Sequence, residues 1–480
     1  MADRPYLFYE LTNAICSTCY RKVEAKIVIE GERVFMHKFC PTHGRERVLI
    51  STDAAFYKQQ RHFLKPGQLV KQFNTPIRYG CPYDCGICPD HEQHGCLTIV
   101  EITDHCNLTC PVCYADSGPH RPAYRSLEQV AFMLDCVVRN EGEPDIVQIS
   151  GGEPTLHPAF FEILDAARRR PIKHLMVNTN GIRLAQDEAF VERLAGYMPG
   201  FEVYLQFDSL RPEVLRDLRG MDLRTVHDRA LERLDRFNIS TTLVVTLKKG
   251  LNDDEIGAIV NVALQYKCVR GVTLQPIQVA GRTERVDPAR DRLTLGEVRQ
   301  QLLRQVPWLK PADVLPVPCH PDCLAMAYAL KLGGEVIPLT GLIDPQLLLD
   351  GEGNTITYER QPAFREHLFK TFSTGHAPAS QALSLKQLLC CLPLVGVPET
   401  LTYENVFRLL IVQFMDAYNL DIRSVKRSCV HIVHPDGRII PFDTFNLFYR
   451  DEREARLVAL RRGVLPDAAA LPDTPSAEYV

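Results

Sequence analysis

The sequence carries little net charge. Its 480 residues include 55 basic and 59 acidic side chains, a balance of -4. No global field therefore recommends nucleic acid or an anionic membrane as a partner, and either would need a local patch. Long apolar runs are also missing. The longest, from Leu388 to Val397, is about half of the roughly 20 residues that a spanning helix requires, which excludes a transmembrane helix. The opening MADRPYLFYE has neither the basic start nor the apolar stretch of a secretory signal, so the chain is expected in the cytoplasm. Compositional bias is absent as well. With 45% hydrophobic and 24% charged residues, a disordered, collagenous or coiled-coil protein is excluded and a sizeable core is expected. The length allows two or three domains.

What the sequence has in quantity is cysteine. Of its 17 cysteines, ten (Cys16, Cys19, Cys40, Cys81, Cys85, Cys88, Cys96, Cys106, Cys110 and Cys113) fall in the first 113 residues. In a long cytosolic chain such clustering points to metal or redox chemistry rather than to disulfides.

Strand-like runs recur at Leu97–Ile102, Ile146–Ile149, His174–Val177, Val203–Phe207, Thr241–Thr246 and Val272–Leu274, with helical periodicity between them. This alternation predicts βαβ units and a parallel sheet. Ser126 and Gln129 are spaced as a capping box, with Leu127, Val130, Ala131, Leu134 and Val138 on one helix face. Six units are too few for a closed eightfold barrel, so an open partial barrel is expected, with its site at the C-terminal strand ends. The predicted organisation is a metal knuckle at 1–70, a cysteine-rich segment at 71–96, the barrel at 97–300, a C-terminal region at 301–464 and a mobile tail at 465–480.

Cys106, Cys110 and Cys113 have the spacing C-x3-C-x2-C directly after the strand LTIVEIT. Three thiolates there can hold three irons of a 4Fe-4S cluster and leave the fourth iron open. Upstream, Cys81, Cys85 and Cys88 repeat the spacing and Cys96 follows, a set of four that suits an auxiliary cluster. His91 and His94 lie between these ligands; they could hydrogen-bond a sulfur or act in proton transfer, and exposed loop histidines are the commoner case. Near the start, Cys16, Cys19 and Cys40 with His43 frame a hairpin, as in a mononuclear site of zinc-ribbon or rubredoxin-like iron type. His43 is either the fourth ligand or a neighbour of the metal. Cys319, Cys323 and Cys429, with adjacent Cys390 and Cys391, follow after residue 300.

With Gly151-Gly152-Glu153-Pro154 after the second strand and Asn178-Thr179-Asn180-Gly181 after the third, the cysteine motif resembles the radical SAM superfamily. The resemblance implies an α/β fold, a partial (β/α)6 radical SAM barrel carrying an N-terminal metal knuckle, an auxiliary-cluster region and a C-terminal SPASM-like domain. It implies that Cys106, Cys110 and Cys113 hold the catalytic cluster. Gly151, Gly152, Glu153, Pro154, Asn180, Gln206 and Asp208 are then the expected contacts to S-adenosylmethionine, and Thr246, Lys248 and Gln275 are candidates by position. The family reaction injects one electron into the sulfonium, releasing methionine and a 5'-deoxyadenosyl radical. It requires a low-potential electron donor such as flavodoxin or ferredoxin.

The order of metal knuckle, CPYDCGICPDHEQHGC, GGEPTLHP, LQFDS, LQPIQVAGR and DGRIIPF is similar to the subgroup containing archaeal tetraether synthase and class D radical SAM methylases. That resemblance implies carbon–carbon bond formation, with a lipid chain placed ahead of a pterin methylated from a reduced folate. A lipid substrate would leave a peripheral membrane contact open. VFRLLIVQFM and LLCCLPLVGV supply apolar side chains for a lipid tunnel or equally for a core. Relatives carry cysteine where this chain has Asp443, so a third cluster would need Asp443, Cys390 or Cys391 as ligand, or would be open or empty. A non-catalytic iron–sulfur carrier is the rival class.

Overall fold

The structure is a computed structural model that describes residues 4–332, 334–342, 405–450 and 453–464. Cys390, Cys391, most of the segment between them and residue 343, and the expected tail 465–480 lie outside the described residues.

The first unit is an antiparallel sheet of β1 (Leu7–Ile15), β2 (Lys22–Glu30), β3 (Arg33–Cys40) and β4 (Gly44–Ser51). Alternation within β2 puts Val23, Ala25 and Ile27 inside and charged residues outside. All six parallel strands expected between 97 and 274 are present: β5 (Leu97–Thr103), β6 (Ile146–Gly151), β7 (His174–Thr179), β8 (Phe201–Gln206), β9 (Thr241–Leu247) and β10 (Val269–Pro276). Each is followed by apolar helical faces that cover the outer side of the sheet. In α1 (Leu127–Glu141), Val130, Met133, Leu134 and Val137 are buried on the 3.6-residue period. Ser126 caps α1 by accepting from Gln129 N at 3.1 Å, but the box is not reciprocal, because the Gln129 side chain donates to the Pro435 carbonyl instead.

Three later strands join the same sheet, β11 (Leu324–Leu332), β12 (Val406–Val412) and β13 (Val430–Val433). β12 pairs parallel with β10, Gly271 opposite Arg408, and β13 pairs parallel with β5, Val430 opposite Leu97. The parallel run is therefore β12-β10-β9-β8-β7-β6-β5-β13. Eight parallel strands replace the six expected, and both additions come from the segment predicted to stand apart after residue 300. The βα period could not reveal them, since β12 pairs antiparallel with β11 on its other side and β13 pairs with a strand more than 300 residues earlier. VFRLLIVQFM alternates as a strand: Phe407, Leu409 and Ile411 are buried in the core, and Arg408, Leu410 and Val412 face the barrel interior.

That interior mixes apolar side chains, among them Ile146, Met176 and Val272, with polar and charged ones, whereas barrel interiors are ordinarily filled by branched aliphatic residues. At the N-terminal ends of the strands, Glu202 is fully buried and accepts from Arg408 Nη2 at 3.0 Å with each oxygen, from the Thr242 hydroxyl, and lies 3.1 Å from His174 Nε2. Burial alone would raise the Glu202 pKa, but the Arg408 guanidinium and then His174 hold it well below the usual carboxylate range. The contribution of this pair is thus intact at neutral pH and fades only in strong acid. Glu202→Gln would leave the Arg408 charge buried without its partner and is expected to destabilise the fold by about 3–5 kcal/mol. A urea unfolding midpoint equal to that of the unsubstituted chain would refute this.

Candidate active site and metal centres

A cavity of about 200 Å³ runs from the C-terminal strand ends into the barrel, lined by Cys106, Cys110 and Cys113, by Gly151, Gly152 and Glu153, by Asn180 and by Gln206. The fold thus brings most of the expected site residues to one chamber, and only Pro154 and Asp208 do not line it. The three cysteines lie in the loop after β5, and the Leu108 N–H donates to the Cys106 sulfur at 3.4 Å. Burial, then the nearby Glu153 charge, pushes the Cys106 thiol up to about 12, and burial also raises Cys110. Three converging soft donors in a dry pocket fit an iron–sulfur cluster, whose positive irons reverse that penalty by binding the thiolate.

Gly151 and Gly152 hold the cysteine loop by close backbone approach. A Cβ at Gly151, which has φ +128°, would stand 2.2 Å from the Thr103 carbonyl, and one at Gly152 would stand 2.1 Å from the His105 carbonyl. Glu153, 1% exposed, accepts from the Thr155 and Thr179 hydroxyls at 2.6 and 2.7 Å and from the Asn180 N–H at 2.8 Å. It ties the GGEP turn to the Asn178–Gly181 turn. Asn180 in turn donates to Asn107, between Cys106 and Cys110, at 2.7 Å. Gln206 donates to Asn178 at 2.7 Å, and both Gln206 and Asp208 accept from Arg219. Arg219 was not legible as a site residue: it is the last residue of a helix with no motif around it. Tyr114 was also missed; it lines the same cavity with Phe414 and Phe442, from the segments VFRLLIVQFM and FDTFNLF, Phe414 stacking on Phe442 with ring centroids 3.8 Å apart.

The second cysteine set is grouped differently from the expectation. Cys96 meets Cys319 and Cys429, all three buried and with sulfurs within 4.8 Å of one another. The cause is strand pairing: Leu97 opposite Val430 sets the residues before them, Cys96 and Cys429, side by side. This site lies at the start of β5, while the Cys106 motif follows its end, roughly 23 Å along the strand. Burial and then Asp443 raise Cys323 well above the ordinary thiol value. Cys81, Cys85 and Cys88 interact with one another, and Cys85 accepts from the Thr444 hydroxyl at 2.9 Å. Asp443, next to Thr444, is fully buried, accepts from Met415 N at 2.5 Å, and is pushed up to about 7 by burial. His91 and His94 are not exposed loop residues: they are 5% and 7% exposed. His94 Nε2 lies 3.7 Å from the Cys96 sulfur, and His91 lies 3.1 Å from His431.

In the N-terminal unit, Cys16, Cys19, Cys40 and His43 converge within 4.8 Å. His43 Nδ1 is 3.5 Å from both Cys16 and Cys40, and Cys19 is 3.8 Å from Cys40. Two sulfurs each about 2.3 Å from a tetrahedral zinc are about 3.8 Å apart. Burial works against the Cys40 thiolate, yet hydrogen bonding to His43 brings its pKa down to about 6. The donor set fits zinc, and His43 stands where a fourth ligand belongs. Cys19→Ser is expected to remove one zinc per chain in elemental analysis with no loss of iron; a parallel loss of iron would contradict the separation of the two chemistries.

An open parallel barrel whose first strand delivers three thiols beside a glycine turn is the arrangement expected of a radical SAM enzyme, and the barrel segment of the chain matches the radical SAM superfamily. The superfamily pattern matches residues 100–263, and the HMPTM N-terminal zinc ribbon domain pattern matches residues 8–52. Along nearly its whole length the chain is similar to the 7,8-dihydro-6-hydroxymethylpterin dimethyltransferase of Methanocaldococcus jannaschii, at 28% identity, covering 93% of this chain and 95% of that protein. Shorter similarity links it to the mycofactocin maturase MftC of Mycolicibacterium smegmatis, 28% identical over 37% of this chain and 44% of that one. The GTP 3',8-cyclase of Haemophilus influenzae is 28% identical over 32% of this chain and 46% of that one. Among solved structures, Streptococcus suis SuiB bound to precursor peptide SuiA aligns over 44% of this chain and 45% of that chain, with a TM-score of 0.36 and 19% identity. Among the described residues no helix is long and apolar enough to cross a membrane.

Proposed function

We propose that the enzyme methylates a reduced pterin of the 6-hydroxymethyl type, with Cys106, Cys110 and Cys113 holding the cluster and Gly151–Pro154 and Asn180 shaping the S-adenosylmethionine pocket. When bound, the cluster supplies the electron that cleaves S-adenosylmethionine, drawn from a low-potential reductant. This reverses the order of preference that the sequence suggests, in which a lipid chain stands first. The observation that carries it is a set of amide, phenol and hydroxyl groups set among the apolar residues of the barrel wall. Gln148, Asn178, Tyr204, Gln206, Thr273 and Gln275 line the cavity, and Gln275 donates to the Tyr204 hydroxyl at 3.0 Å. These groups already bond to one another in part, and an alkyl chain could not use the hydrogen-bonding capacity they retain. A flat heterocycle with ring N–H, amino and carbonyl groups would satisfy them.

The aromatic group at the cavity supports the same reading, since Tyr114, Phe414 and Phe442 offer ring faces beside the cysteine loop. The near full-length similarity to a pterin dimethyltransferase agrees with it. The one-carbon donor, a reduced folate in the class D reading, is a separate question from the acceptor. Binding tests the acceptor. Titration of 7,8-dihydro-6-hydroxymethylpterin into the anaerobic holoenzyme is expected to saturate, with about tenfold weaker binding by Gln148→Leu, whose lost hydrogen bond costs about 1–2 kcal/mol. A long-chain lipid that displaces the pterin would overturn the assignment.

A further inference from the structure

Helix α3 (Pro212–Arg219) ends on the loop that carries Cys110. Gly220 follows at φ +82°, and a Cβ there would stand 3.2 Å from the Thr109 carbonyl, so only glycine seats the helix end this closely. Leu215 and Leu223 pack with Cys106, Leu108 and Cys110 in one apolar cluster. From this seat Arg219 lines the cavity together with Cys110. Its Nη2 donates to Gln206 at 2.7 Å, to Asp208 at 2.9 Å and to Thr246 at 3.2 Å, and its Nε also donates to Asp208. The side chain is held from two barrel strands and the turn after β8, and is only 14% exposed. Asp208 is itself fixed, accepting from Thr246 N at 2.8 Å.

We propose that Arg219 is a positioning residue that sets the reduction potential of the cluster on Cys106, Cys110 and Cys113, with Asp208 as the counter-charge that limits its effect. The proposal rests on those three thiolates being the ligands, not on the identity of the substrate. Reduction adds one negative charge to the cluster. A fixed cation beside the ligand loop favours that added charge, more strongly in a buried site than in water. Asp208 opposes it, so the two residues act with opposite sign on one quantity. The expected contacts of Gln206 and Asp208 with S-adenosylmethionine thereby give way to a role in holding Arg219.

The test is an electron paramagnetic resonance redox titration of the full, reconstituted chain without S-adenosylmethionine, following the signal that this ligand perturbs when it is added. Arg219→Gln is expected to make the cluster about tenfold harder to reduce, a midpoint lower by about 59 mV for a one-electron couple. Arg219→Lys, which keeps the charge, should fall short of that shift. Asp208→Asn should move the midpoint upward. Asp208 sits at φ 59°, a left-handed conformation that asparagine accepts, so this variant is expected to fold and decides the matter even if Arg219→Gln fails to assemble the cluster. An unchanged midpoint in Asp208→Asn, or a midpoint in Arg219→Gln that stays put while S-adenosylmethionine binding weakens, would overturn the proposal. Because no pterin enters the experiment, failure of the pterin assignment would leave the result untouched.

Discussion

Cys110→Ala is expected to reduce 5'-deoxyadenosine formation to background while removing about four irons per chain and sparing the others. The size of the effect follows from the geometry. Among the described residues three thiols line the cavity at the end of β5, within a loop whose backbone is clamped by Gly151 and Gly152, and no fourth sulfur lines it there. Cys96, Cys319 and Cys429 lie at the other end of the strand, and Cys16, Cys19 and Cys40 belong to a separate sheet. Mass spectrometry of the nucleoside product, with iron and zinc counted on the same sample, reads both halves of the expectation. Product at the unsubstituted level would remove the chemistry from Cys106, Cys110 and Cys113. It would also revive the rival reading of a metal-bearing carrier, to which the superfamily match gives no support.

The second large effect concerns the auxiliary thiols. Cys96→Ala and Cys319→Ala are each expected to abolish the same iron centre, so that the double variant loses no more iron than either single one. Cys96→Ala combined with Cys85→Ala should lose more, because the two cysteines serve different sites. This is non-additivity used as a ruler: residues of one unit fail together and residues of two units fail separately. The structure supports the grouping through the contact of Cys96 with Cys319 and Cys429 and through the hydrogen bond from Thr444 to Cys85. Iron analysis with Mössbauer or paramagnetic resonance spectra of the variants measures it. Equal iron loss in all three single variants and in both doubles would return Cys96 to the set of Cys81, Cys85 and Cys88.

The sequence made the local chemistry legible and the long-range assembly much less so. Three thiols at fixed spacing after an apolar strand, and glycines where only close backbone approach makes sense, are local patterns, and they lead to the chamber found at the top of the barrel. Six strands were legible because each stands in a βα unit. β12 and β13 were not, since their partners, β10 and β5, lie 130 residues or more away in the chain. The same distance hid the regrouping of Cys96: nearness in sequence pointed to Cys88, and pairing across the sheet to Cys429. Arg219 was hidden for a further reason. An arginine at a helix C-terminus has an ordinary explanation in the helix dipole, and nothing short of the fold places that helix end on Cys110. His91 and His94 were misjudged because loop position was taken for exposure, although the loop is roofed by the segment around Ser428 and His431.

The polar groups set along the barrel wall change the reading of substrate. Apolar segments at 388–397 and 406–415 suggested a lipid tunnel, yet the first lies outside the described residues, and alternate residues of β12 in the second face the sheet's own core. Arg408, from that same strand, presents a charge held by Glu202. Amide, phenol and hydroxyl groups up the barrel wall are more costly to bury against hydrocarbon than against a heterocycle able to hydrogen-bond with them.

The most direct test of the central claim is turnover. The reconstituted enzyme is incubated anaerobically with S-adenosylmethionine, a strong reductant, a reduced folate one-carbon donor and 7,8-dihydro-6-hydroxymethylpterin, and the pterin and nucleoside are analysed together by mass spectrometry. The account predicts 5'-deoxyadenosine accompanied by a pterin heavier by one or more methyl groups. 5'-Deoxyadenosine with unaltered pterin, in a reaction where a lipid chain is instead coupled or alkylated, would contradict it.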